Sequence, residues 1–131
     1  MTQAKDILQA ADWKTEKHVP VIEVNDTIKK GGVVSITLSV GKEIPHPNTT
    51  EHHISWIAIY YQPDGDKFPL EIGRADFTAH GESPLGPNQG PVYTQPQVRL
   101  TLKVSKSGAL YAMSMCNIHG LWHSASEVKV A

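Results

Sequence analysis

Cysteine is almost missing from this chain: 131 residues contain one, Cys116. A lone cysteine cannot form an intrachain disulfide. The fold must be held by its core, and the thiol is left to packing, nucleophilic chemistry or metal binding. Long apolar runs are also missing, and nothing approaches the roughly 18 residues expected of a spanning helix. The opening MTQAKDILQAADWK lacks the apolar centre of a signal peptide. Together with the solitary thiol, this predicts a chain of the reducing cytoplasm and no membrane association. An excess of one charge sign is absent too. The formal net charge is −1 with the histidines neutral, and no long basic run occurs, so nucleic acid is not an expected partner. Helical patterning is confined to Ala4–Ala11, a short N-terminal segment.

What is present is alternation. Val34, Ile36, Leu38 and Val40 alternate with Ser35, Thr37 and Ser39, and Val98, Leu100, Leu102 and Val104 alternate with Arg99, Thr101 and Lys103. Period two marks strands with one face on a core and one toward water. Further strands are expected at 18–24, 53–62, 68–73, 75–79, 109–116 and 124–130. They are separated by turn chemistry at Asn25-Asp26, Gly31-Gly32, Pro63-Asp64-Gly65-Asp66 and Ser107-Gly108. Residues 1–131 are therefore expected to form a single all-β domain, an antiparallel sandwich or barrel of about seven strands. Two segments rich in proline and glycine, 41–51 and 80–91, read as loops, the second long enough to be a lid or an interface.

The seven histidines are unevenly placed. Cys116 and His119 stand three apart, close enough for two borderline-soft ligands on one loop to reach one metal. Taken alone, that pair is a weak signal, and it reads more readily as a buried cysteine beside a polar turn. His46 and His52 flank Pro47, Asn48, Thr49 and Thr50, with Pro45 just before, so the loop backbone is restricted before any ion arrives. His52 and His53 point to opposite faces if a strand begins there. His52 would then share a face with Ile54 and Trp56, leaving His53 to the second layer or the surface. His18 opens the strand HVPVIEV. All of these residues lie at strand ends or in loops, where sandwich folds gather their sites. A thiolate with several imidazoles suits iron, copper or zinc and disfavours magnesium and calcium. Structural zinc takes four ligands and closes its shell. A fifth protein ligand on a six-coordinate iron leaves one position open, and a thiolate can push electron density toward an oxygen species there.

The segments EKHVPVIE, GKEIPHPNTTEHHI, FTAHGES and CNIHGLW, in this order from Trp13 to Trp122, resemble the superoxide reductases of the one-iron class, the neelaredoxins, related to the iron-binding domain of desulfoferrodoxin. The resemblance implies an immunoglobulin-like β-sandwich or barrel assembled as a homotetramer. It implies one mononuclear iron held by His18, His46, His52 and His119 in the equatorial plane, with Cys116 axial and opposite the open site. It implies that Glu16 takes the sixth position in the ferric state and that Lys17 stands beside the open site to attract superoxide. His53, His80 and His123 match no ligand position. The implied reaction is one-electron reduction of superoxide to hydrogen peroxide. No cysteine precedes residue 116, so the four-cysteine iron centre of desulfoferrodoxin-type members has no counterpart here. Electrons are then expected from an external donor such as rubredoxin. Competing readings are an electron-transfer copper site, which would want a methionine after His119, where none follows; a redox-silent zinc or storage module; and a metal-free binding module.

Overall fold

The computed structural model describes residues 1–25 and 27–131, so Asp26 of the expected Asn25-Asp26 turn lies outside the described residues. One short helix, α1 (Ala4–Ile7), precedes eight strands: β1 (Pro20–Glu23), β2 (Thr27–Ile28), β3 (Gly32–Val40), β4 (Ile54–Pro63), β5 (Leu70–Asp76), β6 (Gln97–Val104), β7 (Gly108–Cys116) and β8 (Gly120–Val130). They form two sheets, ordered β1-β3-β6 and β2-β8-β7-β4-β5. The expected all-β sandwich is thus the observed architecture, with one strand more than anticipated and a helix of a single turn.

The alternating segments behave as their pattern requires. Val34, Ile36, Leu38 and Val40 of β3 are buried, and from the opposite sheet Ile57, Ile59, Leu110 and Ala112 meet them with no exposed surface. These inner faces make one hydrophobic core between the sheets.

Three local expectations are corrected. The separate strands at 68–73 and 75–79 are one strand, β5. Gly73 lies inside that strand. A Cβ at that position would collide with the side chain of Leu100 across the sandwich, so the glycine serves a close approach. The two-residue β2 was not anticipated; it pairs parallel to β8 through Thr27↔Lys129 and Ile28↔Val130, an exception to the antiparallel rule. Finally, His52, Ile54 and Trp56 do not share a face. The register between β4 and β7 shifts between Ile54 and Trp56. Ile54 and Ile57 are both core, while the Trp56 ring lies beneath the Arg74 guanidinium at 4.5 Å. A bulge reverses the alternation at the very start of β4, next to the histidine pair.

The pairings Pro20↔Val40, Ile54↔Cys116 and Cys116↔Gly120 put the start of β1, the end of β3, the start of β4 and the β7–β8 hairpin at one end of the sandwich. The chemically distinctive residues converge on this end.

Candidate metal centre

Cys116 ends β7 and Gly120 begins β8, so Asn117, Ile118 and His119 form a three-residue hairpin loop. Gly120 has φ +81°, the left-handed conformation that closes such hairpins. The tight loop turns His119 back over the cysteine. The His119 N–H donates to Cys116 Sγ at 3.3 Å, and the ring Nδ1 lies 3.8 Å from the same sulfur. Cys116 is fully buried and His119 is exposed, so the centre is shallow and open on the His119 side.

The other ligand candidates arrive from β1 and the loop before β4. One donor atom from each of His18, His52, Cys116 and His119 lies within 4.8 Å of all the others. His46 is not in that four-membered group, but its ring stands 4.8 Å from those of both His18 and His52, nearly perpendicular to each. All five predicted residues are therefore brought to one place.

Hydrogen bonds determine which nitrogen each ring turns inward. His46 Nδ1 donates to the Pro47 carbonyl at 2.6 Å, which leaves Nε2 with a free lone pair. His18 Nδ1 is bonded to Glu16 Oε1 at 2.6 Å, so its Nε2 faces His119 Nδ1 at 3.1 Å. The Nε2 atoms of His46 and His52 are buried with no hydrogen-bond partner among the described residues. Buried nitrogens without partners are costly unless something else engages them. Two such nitrogens, a facing imidazole pair and a buried thiol fit a thiophilic transition metal.

The protonation behaviour agrees. Burial lowers the His46 pKa to about 4; the Pro47 carbonyl opposes this in part, and His18, His52 and Lys17 add repulsion of the protonated ring. Burial, then the charges of His119, His18 and Lys17, lower that of His52 as well. Both rings are held neutral, the form that ligates metal. In the metal-free protein the unfolded chain takes up protons near pH 6.5 that folded His46 refuses until about pH 4. Stability present above pH 6.5 is thus expected to fall steadily between those values. Urea midpoints measured from pH 7 to pH 4 should show that slope, and His46→Gln should remove much of it; parallel profiles for the two proteins would refute the assignment.

Lys17 is half-buried and takes part in none of the four ion pairs formed among the described residues. Its influence on His46 and His52 places its charge beside the centre. Glu16 accepts from both the backbone N–H of His18, at 2.9 Å, and the ring Nδ1. Burial raises its carboxyl pKa, but these His18 bonds prevail and the net shift is downward. In this arrangement Glu16 orients His18 from behind.

Several supporting residues were not assigned these contacts from sequence. Trp122 stacks on His18, centroids 4.9 Å apart and planes 13° apart, and its Nε1–H donates to the His119 carbonyl. It lies inside the CNIHGLW segment, the one signal that could have pointed to it. Asn117 joins the hairpin to the His52 strand end: its Oδ1 accepts from His53 N–H and its Nδ2 donates to the Glu51 carbonyl. His53 and His80, which match no ligand position, stack on each other at 3.5 Å. His123 is in β8 opposite Met113.

The sequence profile of the family described as Desulfoferrodoxin matches residues 10–125. The chain is 57% identical over 123 residues to neelaredoxin of Megalodesulfovibrio gigas, covering 94% of this chain and 95% of the relative. It is 54% identical over 119 residues to superoxide reductase of Pyrococcus furiosus, covering 91% and 94%. Among solved structures, the reduced form of superoxide reductase (neelaredoxin) from Archaeoglobus fulgidus superposes with a TM-score of 0.88 at 58% identity, covering 94% of this chain and 98% of the other. No helix among the described residues is long and apolar enough to cross a membrane. With a profile match over most of its length, and relatives of this identity across nearly the whole of both sequences, the chain belongs to the desulfoferrodoxin family.

Proposed function

We propose that His18, His46, His52, His119 and Cys116 hold one iron and that the chain is a superoxide reductase, converting superoxide, one electron and two protons into hydrogen peroxide. The observation that carries this reading is the convergence of buried, unpartnered imidazole nitrogens on a buried thiol at a shallow, solvent-facing end of the sandwich. When bound, the iron supplies the single electron, and an external donor of the rubredoxin type replaces it.

The protein's own groups do the rest. Neutral His46 and His52 need lose no proton to ligate. The Cys116 sulfur as thiolate is the strongest electron donor of the set, and the N–H from His119 moderates its charge. Lys17 sets a positive charge beside the centre, where an anionic substrate would approach. Glu16, which now holds His18 Nδ1 through Oε1, would be the residue to fill a sixth position if the iron were ferric. The family resemblance supports a homotetramer, the solitary thiol supports a reducing cytoplasm, and the single core shared by both sheets supports residues 1–131 as one domain.

Metal content and superoxide kinetics test this together. One iron per chain, with superoxide consumed in step with an added reductant, is expected; copper or zinc at full occupancy after growth with iron would overturn the reading. Lys17→Ala should keep the iron and slow superoxide capture about threefold at low ionic strength, the difference fading as salt screens the charge. A rate unchanged at low salt would remove Lys17 from substrate capture.

A further inference from the structure

The long 80–91 loop has no assigned task, yet it touches the ligand-bearing loop at several points. His52 is presented by a tight turn: Thr49 N–H donates to the His52 carbonyl at 2.9 Å, and Thr49 Oγ1 accepts the His52 N–H at 3.0 Å. Thr50 and Glu51 form the tip of that turn. Asn88 grips both. Its Oδ1 accepts the Thr50 N–H at 2.7 Å, and its Nδ2 donates to the two carboxylate oxygens of Glu51 at 3.0 and 2.9 Å. Of the described residues other than glycine, only Asn88 has positive φ, +61°. Asparagine tolerates that conformation better than most residues. A primary amide also offers an acceptor to an N–H and a donor to a carboxylate at the same time.

The rest of the loop reinforces this grip. Thr50 Oγ1 donates to the His80 carbonyl at 2.8 Å. Asn48 Oδ1 lies 3.1 Å from His80 Nδ1, and Asn48 Nδ2 donates to the Thr94 carbonyl, also at 3.1 Å. His80, 3% exposed, is fixed at its other nitrogen by the Phe77 carbonyl and stacks on His53. The loop itself is closed by Gly90 N–H to the Gly81 carbonyl and Gly81 N–H to the Val92 carbonyl.

We infer that the 80–94 segment is a clamp on the metal-ligand loop and that Asn88 is a positioning residue for His52, holding the Thr49–His52 turn so that the imidazole meets the metal in one orientation. This rests on the iron-site reading above. The clamp acts from outside the ligand set. It touches no donor atom, and it works by lowering the freedom of the turn before and after metal binding.

The test uses the intact, iron-loaded chain and two variants. Asn88→Gly removes the side chain while permitting the same φ. It should release iron to a chelator about tenfold faster than the parent. It should also shift the thiolate-to-iron absorption band and raise amide hydrogen exchange at Thr50 and His52, with the melting temperature of the metal-free protein little changed. Asn88→Asp combined with Glu51→Gln reverses donor and acceptor across the same pair while keeping the acceptor for Thr50. It should return release and exchange close to parental values. Parental iron release and amide exchange in Asn88→Gly would overturn the clamp, as would a double variant as leaky as Asn88→Gly. If instead the parent holds no metal, the iron-site reading fails, and amide exchange at Thr50 in the metal-free variants still decides the clamp.

Discussion

Cys116→Ser is expected to leave a folded sandwich that has lost the thiolate-to-iron absorption band and superoxide turnover above background. The side chain is fully buried at the end of β7, its volume is nearly matched by serine, and the His119 N–H remains available to the new hydroxyl. The fold should lose only about 1–2 kcal/mol, the usual penalty for burying a hydroxyl with incomplete partners. The chemistry should lose far more. A serine hydroxyl stays protonated where a thiol becomes a thiolate beside a metal, so the anionic donor vanishes from the ligand set. Circular dichroism and thermal melting would verify the fold, and visible absorption with stopped-flow superoxide decay would read the site. Turnover at the parental rate would mean that the sulfur is a packing residue and that the electron-donating ligand lies elsewhere.

Gly41→Ala is expected to disable the centre through the backbone. Gly41 leaves β3 with φ +88°, and a Cβ there would stand 2.7 Å from the backbone nitrogen of His46. Two costs add. The left-handed conformation penalises any side chain by about 1–2 kcal/mol, and the clash pushes on the ligand itself. Gly65→Ala separates them. Gly65 has φ +80° with nothing within 4 Å of a new Cβ, and its turn follows β4, beyond the strand's far end from His52. Both variants should melt lower by similar amounts in the metal-free state, with Gly41→Ala somewhat the worse. Only Gly41→Ala should release iron faster, by roughly 10- to 100-fold, as displacement of a ligand's support typically does. Equal iron retention in the two would show that His46 tolerates the push and contributes little to holding the metal.

Much of this molecule is legible one residue at a time. The alternation in β3 and β6 marks their buried faces because a strand's side chains can face only two ways, and the core then claims the apolar set. The ligand candidates were identifiable by type and by motif order, since few residue types bind a transition metal and the chain has only one cysteine. The orientation of each ring was not. Whether Nδ1 or Nε2 turns inward depends on a carbonyl or carboxylate held by the local backbone, as Pro47 and Glu16 do for His46 and His18.

The sequence by itself determined the fold class, the set of residues able to bind a metal and the absence of any intrachain disulfide. Only the tertiary structure decided the rest. The bulge at the start of β4 overturned the face assignment of Trp56, because register depends on the partner strand β7 and not on β4 alone. Gly73 proved to be a close approach to Leu100, 27 residues away by their numbering, a task that its place in the expected strand 68–73 did not reveal. Asn88, Asn117 and Trp122 acquired their tasks from residues 37, 66 and 104 positions distant: Glu51, again Glu51, and His18. Local sequence determines which way a side chain can point along its own strand or loop. What it meets there is set by how distant segments pack, and no spacing within the chain encodes that.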